Sequence, residues 1–156
     1  MRRSEREIKD PKVVQALLER APVGRLATVN GKGYPVIKPV NFIFREGRVY
    51  FHSSTKGEKM TDLRRKGPVC FEVDEPVAYL AAQGPACGAS YYYRSVILKG
   101  KAVLVGRREK KEAILLGLME KYQPEGGYGE ISPDALGRTA VVEIIPEEIT
   151  GKENLG

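Results

Sequence analysis

Apolar residues near the N-terminus recur at helical spacing, and further along the chain they alternate as in β-strands. Asp10 and Pro11 are typical of a helix start. The apolar residues of one helix face follow, namely Val13, Val14, Leu17 and Leu18. From Val23, glycine-containing turns separate three segments rich in β-branched and aromatic residues: VGRLATVN, YPVIKPVNFIF and RVYFHSS. The pattern therefore predicts a short helix and then three consecutive antiparallel strands.

The second half of the chain again mixes strands with short helices. Helical spacing predicts helices over 58–66 and 107–122, and strand character is found in PVCFEVDE, YYYRSVILKGKAVLV and RTAVVEIIP. Gly100 predicts a bulge in the second of these strands. Residues 76–90 are rich in glycine, proline and alanine, so we expect an irregular loop there. The connection QPEGGYGEISPDALG is rich in turn residues, with at most one turn of helix.

The order of these elements predicts the fold class. About six strands are joined mainly by tight turns, and no βαβ alternation runs along the chain. We therefore expect a mainly β fold with peripheral helices, an antiparallel six-stranded barrel that is closed or partly split. The 156 residues are predicted to form a single domain, with an N-terminal arm at 1–10 and a C-terminal tail at 147–156.

Two prolines interrupt the second predicted strand, at Pro35 and Pro39. Proline cannot donate a hydrogen bond to a neighbouring strand, and it is therefore confined to edge strands, bulges and strand starts. Two interpretations follow. The strand lies at a sheet edge, or it is interrupted so that carbonyl groups and the N–H of Val40 or Asn41 are free for a ligand.

The segment from Val49 to Glu75 passes from a strand through His52, Ser53, Ser54 and Thr55 into a short basic helix. Hydroxyl groups, an imidazole and lysines thus gather where a strand gives way to a helix start. Unpaired backbone N–H groups and the positive end of the helix dipole favour an anion at such a place. The segment therefore predicts a site for a phosphate-bearing ligand.

The net charge of the chain indicates which kinds of partner to expect. The formal net charge is +6 at pH 7 and the sequence pI is about 9.3, which suits an anionic partner. The charges are spread along the whole chain, so we do not expect a nucleic-acid interface. No apolar run approaches the roughly 20 residues of a membrane span. The segment MRRSEREIKD lacks the apolar core of a secretory signal, and a cytoplasmic protein is expected.

The two cysteines do not predict a metal site. Cys70 and Cys87 lie 17 residues apart with no histidine nearby in sequence. Cys70, between Val69 and Phe71, is predicted to be a core residue. The role of Cys87 stays open, and a disulfide between the two is not needed in a reducing compartment.

Two stretches of the sequence resemble a known family. The segment GRLATVNGKGYPVIKPVNFIFREGRVYFHSSTKGEKMTDLRRKGPVCFEVDE, over residues 24–75, is similar to the pyridoxamine 5'-phosphate oxidase-like, FMN-binding split-barrel proteins. Within that family the chain looks closest to the small flavin-binding branch that includes the nitroimidazole-resistance proteins. The later YRSVILKGKAVLV, preceded by Pro85, Ala86 and Cys87, resembles a strand of that branch. The resemblance covers roughly residues 10–150.

The resemblance implies an FMN site between the two subunits of a homodimer. It places the phosphate against His52, Ser53 and Lys59, with Ser54 and Thr55 as further donors. It places four residues along the isoalloxazine ring, largely through backbone atoms: Lys38, Pro39, Val40 and Asn41. Ser95, with Arg94, would approach from the neighbouring strand or subunit. Arg64 and Arg65 are expected to form a solvated helix face.

The same resemblance implies an FMN-dependent oxidoreductase whose flavin passes hydride or electrons. NADH or NADPH would donate them to a small acceptor such as a nitroaromatic or a quinone, and no side chain need act as acid or base. An alternative of a different class is a non-enzymatic flavin or haem protein that stores a cofactor or senses redox state, with His52 as the only imidazole.

The sequence departs from the true oxidases of the family in two places. No arginine follows Arg138, whereas those enzymes grip their substrate with an arginine near the C-terminus. Oxidation of pyridoxamine phosphate is therefore not expected. Glu58 stands before Lys59 where the oxidases have a second cation, so the phosphate would be held by fewer positive charges.

Overall fold

The computed structural model of the chain describes residues 3–156. Seven strands form one antiparallel sheet: β1 (Gly24–Val29), β2 (Pro35–Val40), β3 (Phe42–Arg45), β4 (Arg48–Ser54), β5 (Pro68–Leu80), β6 (Ser90–Leu104) and β7 (Thr139–Asn154). Four helices lie around the sheet: α1 (Pro11–Arg20), α2 (Glu58–Arg64), α3 (Arg108–Tyr122) and α4 (Pro133–Arg138). Short 3-10 turns occupy Ser4–Arg6 and Ala86–Gly88. The predicted mainly β fold with peripheral helices is confirmed.

The order of strands across the sheet is β2-β1-β5-β6-β7-β4-β3. The two edge strands, β2 and β3, are thus consecutive in the chain and are joined by Asn41 alone. The opposite edges of the sheet therefore meet at this residue without closing into a continuous barrel, as in a split barrel. We call Val40, Asn41 and Phe42 the Asn41 corner.

The prediction of six strands was wrong by one, because the segment YPVIKPVNFIF forms two strands. Val40 is the last residue paired with β1, where it lies opposite Gly24, and Phe42 is the first residue paired with β4, opposite Phe51. β2 pairs only with β1, so the interpretation of Pro35 and Pro39 as edge-strand residues is confirmed. The break comes one residue after the second proline.

The predicted C-terminal tail at 147–156 was also wrong, since residues up to Asn154 belong to β7 and pair with β6. Charged cross-strand pairs accompany this extension, and Lys99 Nζ lies 3.2 Å from Glu148 Oε2. The predicted N-terminal arm packs against the same strand. The Ile8 N–H donates to the Gly151 carbonyl at 3.1 Å, and the Ile8 side chain is buried.

The strands β5 and β6 are longer than predicted at their junction. β5 continues to Leu80 and β6 begins at Ser90, so the irregular loop expected over 76–90 is reduced to 81–89. The register shifts beside Gly100 on β6, which confirms the predicted bulge. The predicted helices over 58–66 and 107–122 are confirmed with slightly shorter bounds.

The main core fills the interior of the curved sheet. Its largest side chains are Phe42, Phe51 and Phe71, and the rings of Phe42 and Phe71 meet edge to face with centroids 4.9 Å apart. Gly24 is needed for this packing, because a Cβ there would lie 2.0 Å from Cζ of Phe71. A second, smaller core lies between α3 and the outer face of β3, β4 and β7.

Local signals explain the first helix. The Asp10 side chain accepts the Lys12 N–H at 2.8 Å and caps α1, whose Leu17 and Leu18 are fully buried in the main core. Among the described residues, no helix has both the length and the apolar character needed to cross a bilayer.

Candidate functional site

Three basic residues from three separate elements gather near the Asn41 corner: Lys38 of β2, His52 of β4 and Lys59 of α2. The pKa of Lys59 is lowered, chiefly because the ammonium is partly removed from water and also because Lys38 repels it. The pKa of His52 is lowered by partial desolvation of the ring and by the positive charge of Lys59. Their charges therefore lie close enough to disfavour one another. We call these three residues the cation cluster.

The position of Lys59 follows from the way α2 packs. The helix begins after Gly57, whose φ of 107° is suited to glycine, and Met60 and Leu63 are buried in the main core. Lys59 is left half-buried at the end of that core, with Nζ 5.4 Å from the centroid of the Phe51 ring. An aromatic ring face is a favourable neighbour for an ammonium group. The site thus holds a cation that burial alone would disfavour.

Lys38 has one carboxylate partner. It lies opposite Leu26 on β1, which directs its side chain to the inner face of the sheet, and its ammonium pairs with Glu58. The side chain of Glu58 is 57% exposed. The glutamate that departs from the family pattern therefore forms an ion pair, and this pair offsets the charge of Lys38 from the solvent side.

The hydroxyl residues of the predicted phosphate site are the last two residues of β4, Ser53 and Ser54, and the residue after the strand, Thr55. Ser53 is half-buried opposite Ala140, whereas the Ser54 hydroxyl accepts the Lys56 N–H at 3.3 Å in a local turn. The Thr55 carbonyl accepts a hydrogen bond from the Arg64 guanidinium at 2.8 Å. The structure therefore brings Ser53, Ser54 and Thr55 to the end of the strand that carries His52.

Arg64 and Arg65 do more than form a solvated helix face. Arg64 holds the loop before α2 through the Thr55 carbonyl, and Arg65 lies 3.8 Å from the buried carboxylate of Asp62. The sequence analysis missed both roles. Nothing in the spacing of two consecutive arginines indicates a backbone partner nine residues earlier in the chain.

The Asn41 corner is held by the end of α3. The Tyr122 hydroxyl accepts the Phe42 N–H at 2.9 Å, and it lies 2.8 Å from the Pro22 carbonyl and 3.1 Å from the Phe42 carbonyl, to either of which it can donate. Beside it, Lys121 Nζ donates to the Ala21 carbonyl at 2.8 Å and lies 4.0 Å from the Phe42 ring centroid. Burial lowers the pKa of Lys121 to about 8.

These contacts fix the backbone that the resemblance places along the flavin ring. Val40 is buried, whereas Pro39 and Asn41 are exposed. Tyr122 serves the amide that would otherwise be left unpaired where β2 ends and β3 begins. The sequence analysis missed Tyr122 because it closes an apolar helix 80 residues away from Phe42, and helical spacing gives no sign of a partner at that distance.

Ser95 does not join the cation cluster within one chain. It pairs with Lys152 on β7, whereas His52 pairs with Val141 of the same strand, eleven residues earlier. At about 3.3 Å per residue, the two positions are roughly 35 Å apart along the strand. Arg94, beside Ser95, donates to Glu153 at 3.0 Å. The structure brings together Lys38–Asn41, His52–Thr55 and Lys59, whereas Ser95 pairs with Asp74 of β5 and is separated from β2 by β5 and β1.

The comparisons with known proteins agree with this architecture. A family model described as pyridoxamine 5'-phosphate oxidase matches residues 10–153. None of the curated proteins matches this sequence.

Three solved structures show a similar fold. The flavocytochrome Anf3 from Azotobacter vinelandii has a TM-score of 0.89 at 23% identity, covering 100% of this chain and 72% of that one. A FAD and heme binding protein from Mycobacterium smegmatis has a TM-score of 0.87 at 20% identity, with coverages of 97% and 74%. A candidate 5-nitroimidazole antibiotic resistance protein from Bacteroides thetaiotaomicron VPI-5482 has a TM-score of 0.82 at 22% identity, with coverages of 94% and 86%.

The family model spans nearly the whole sheet together with the cation cluster and the Asn41 corner. It therefore confirms the resemblance that the sequence carries in residues 24–75. The chain belongs to the pyridoxamine 5'-phosphate oxidase-like family.

Proposed function

We propose that this chain is an FMN-dependent oxidoreductase that holds the cofactor phosphate at the cation cluster. The observation that carries the proposal is the gathering of Lys38, His52 and Lys59 at the point where the sheet edges meet, with lowered pKa values for His52 and Lys59. A phosphate monoester carries nearly two negative charges and would remove this mutual repulsion. Each charge-assisted hydrogen bond to it contributes about 1.5–3 kcal/mol.

The hydroxyl groups fit the same ligand. Ser53 and Ser54 stand at the end of β4 beside His52, and a phosphate has more acceptor oxygens than the three cations can satisfy. The flavin ring would lie along Lys38, Pro39, Val40 and Asn41, where the edge strand β2 has no second neighbour to take up its outward backbone groups. A bound flavin supplies hydride and electron transfer, and the chain supplies binding and orientation.

We propose FMN in preference to a dinucleotide. The cluster is a single group of three basic residues, one of which already pairs with Glu58, and it suits one terminal phosphate. The Mycobacterium smegmatis relative is named a FAD and heme binding protein, so FAD is the competing flavin. The two flavins are distinguished by titrating each one separately.

The site is proposed to be completed by a second copy of the chain. Ser95 is roughly 35 Å along β7 from the position of His52, so we assign its contact with the cofactor to the second subunit. The outer face of the sheet carries exposed apolar side chains, with Ile37 66% exposed and Ile97 37% exposed. Tyr79 and Tyr91 pair on the projecting β5–β6 hairpin and are also exposed. Exposed apolar groups on one face support a homodimer.

The substrate is proposed to be a small molecule reduced at the expense of NADH or NADPH, such as a nitroaromatic or a quinone. The name of the Bacteroides relative points in that direction for the acceptor. The proposed partners are the anionic cofactor, the small-molecule substrate and a second copy of the chain, with neither a membrane nor a nucleic acid. A cytoplasmic location is part of the same proposal.

A non-enzymatic haem or flavin protein is the second candidate, and one observation favours it. His52 is the only histidine of the chain, and its lowered pKa keeps the imidazole neutral, which is the form that ligates a metal. One relative is named a FAD and heme binding protein, and another is named a flavocytochrome. On this account the protein would bind a cofactor without turnover of a substrate.

Purified protein titrated with FMN, FAD and haem separates these candidates. We expect flavin absorbance bands, a tighter dissociation constant for FMN than for FAD, and oxidation of NADH or NADPH when a nitroaromatic or a quinone is added. A Soret band that depends on His52 would replace the proposal with the haem alternative. Protein that binds none of the three would overturn both.

A further inference from the structure

A cleft of about 420 Å³ lies between the end of α2 and the end of β6. Its apolar lining includes Leu63, Leu104 and Val142. Leu104 pairs with Val142, so the two side chains lie on the same face of the sheet, but Leu104 is 49% exposed and Val142 is 1% exposed. The interior face of the sheet is therefore left uncovered at this end.

Three cations border the same cleft: Arg64, Lys66 and Lys101. Lys101 pairs with Glu147 at 3.0 Å, and Arg64 donates to the Thr55 carbonyl. Over residues 3–156, neither Arg64 nor Lys66 forms an ion pair with a carboxylate. The rim therefore has more positive charge than its carboxylates offset.

We propose that this cleft binds an amphipathic carboxylate, with an unbranched apolar chain against Leu63, Leu104 and Val142 and the carboxylate between Arg64 and Lys66. The apolar lining disfavours a ligand that is charged throughout, such as inorganic phosphate. The unpaired cations disfavour a neutral or cationic ligand of the same shape. The volume suits a small molecule and not a protein segment.

The cleft is separate from the cation cluster. Lys59 and Arg64 lie on α2 five residues apart, so their side chains leave the helix in different directions, and the cluster residues do not line the cleft. The two regions share the loop that Arg64 holds through the Thr55 carbonyl. The proposal does not rest on the proposed flavin function, and failure of one leaves the other intact.

Calorimetric titration of the full-length protein with hexanoate, octanoate and decanoate tests the proposal. Each added methylene should tighten binding about fourfold until the cleft is filled. Decyltrimethylammonium, which has the same chain and the opposite charge, should bind at least tenfold more weakly than decanoate. The FMN dissociation constant should be unchanged in the presence of saturating decanoate.

Two variants assign the two halves of the ligand. Lys66→Gln should weaken decanoate binding about tenfold with little change in the gain per methylene. Leu104→Ser should reduce the gain per methylene, and both side chains are exposed enough for the variants to fold. The matched control is Lys32→Gln, an exposed lysine in the turn between β1 and β2.

Any one of four binding results would overturn the proposal, and competition with FMN would be a fifth. The four are no binding of decanoate below its micellar concentration, affinity independent of chain length, equal binding of the cationic analogue, or equal effects of Lys66→Gln and Lys32→Gln. Competition between decanoate and FMN would show that the carboxylate binds at the cation cluster instead. A urea denaturation curve for each variant establishes that the comparison is made on folded protein.

Discussion

Two of the places where basic residues gather have environments with opposite effects on the pKa values of those residues. Around the buried carboxylate of Glu143, Lys110 Nζ lies 2.8 Å from Oε2, Arg48 also pairs with the carboxylate, and the Tyr50 hydroxyl lies 3.2 Å from Oε1. We call these four residues the Glu143 network. In the cation cluster, the carboxylate that pairs is Glu58, which is exposed and reaches only Lys38.

The Glu143 network is self-sufficient. Burial alone would raise the pKa of Glu143, but the hydrogen bonds from Lys110 and Arg48 outweigh it and lower the pKa. The pKa values of Lys110 and Arg48 are raised, above all by their hydrogen bonds to Glu143. The carboxylate of Glu143 and the cations Lys110 and Arg48 thus favour one another's charged forms. This network stabilises the contact between α3 and the outer face of the sheet.

The cation cluster has the opposite balance. Desolvation and mutual repulsion lower the pKa values of His52 and Lys59, so the fold holds these groups in an arrangement that does not favour their own charges. The comparison teaches that the number of cations does not identify a site. What distinguishes the cluster is that Glu58 reaches only Lys38, and an anionic ligand would balance the positive charge of Lys59.

The largest expected effect on stability comes from Glu143→Gln. This change leaves Lys110 and Arg48 without the carboxylate that balances them, and we expect the free energy of unfolding at pH 7 to fall by about 1–3 kcal/mol. Urea denaturation followed by circular dichroism measures the change. The FMN dissociation constant should stay within a factor of two. Unchanged stability would mean that the Glu143 network contributes little.

The next effect is expected at the Asn41 corner. Tyr122→Phe removes the hydroxyl that accepts the Phe42 N–H, and a part-buried amide without a partner costs about 1–2 kcal/mol. We expect that loss of stability together with weaker FMN binding, because the edge of β2 loses its support. Tyr128→Phe, at an exposed tyrosine, is the matched control. Weaker stability with unchanged FMN affinity would show that the corner does not position the ring.

The lowered pKa of His52 predicts that the stability of the ligand-free protein depends on pH. Its folded pKa lies below the ordinary value of 6.5, so the unfolded chain binds more protons between these two values. The contribution of His52 therefore makes the protein less stable as pH falls from 6.5 towards the folded pKa. Unfolding curves from pH 7.5 to 5 should show a smaller decline for His52→Gln than for the wild type. Parallel declines would contradict the assigned pKa direction.

Glu58→Gln is expected to have the smallest effect of these substitutions, and the effect is on FMN affinity. It tests the cluster by removing a negative charge instead of a positive one. Removing the exposed partner of Lys38 should tighten FMN binding about threefold, since surface ion pairs contribute about 0.2–1 kcal/mol. The measurement is a fluorescence titration with FMN at low and high salt. Glu112→Gln, on the distant helix α3, is the control. Weaker binding after Glu58→Gln would indicate that Glu58 orients Lys38 for the ligand.

Much of this fold could be predicted from the sequence because local signals agree with the structure. Asp10 with Pro11 starts α1, and Gly100 lies beside the register shift on β6. The division of β2 from β3 could not be predicted from the hydrophobic pattern, which runs on through Val40 and Phe42 without a break. The end of β7 could not be predicted either, since charge pairs such as Lys99 with Glu148 replace apolar alternation there.

The candidate site could likewise be predicted only in part from the sequence. The hydroxyl groups and His52 were visible as a strand-to-helix segment, but the approach of Lys38 to Lys59 depends on a sheet that brings its two edges together. Tyr122 was invisible because its role depends on a contact with Phe42 across 80 residues. Local patterns thus indicated the chemistry, and long-range pairing determined which groups meet.

The central claim is that the cation cluster is arranged for an anionic cofactor and not for the stability of the fold. The most direct test compares Lys59→Met with wild type in both FMN affinity and free energy of unfolding, because methionine keeps an apolar stem beside Phe51. We predict FMN binding weaker by about 1.5–3 kcal/mol, with stability of the ligand-free protein unchanged or slightly raised. Unchanged FMN affinity together with a clear loss of stability would contradict the account.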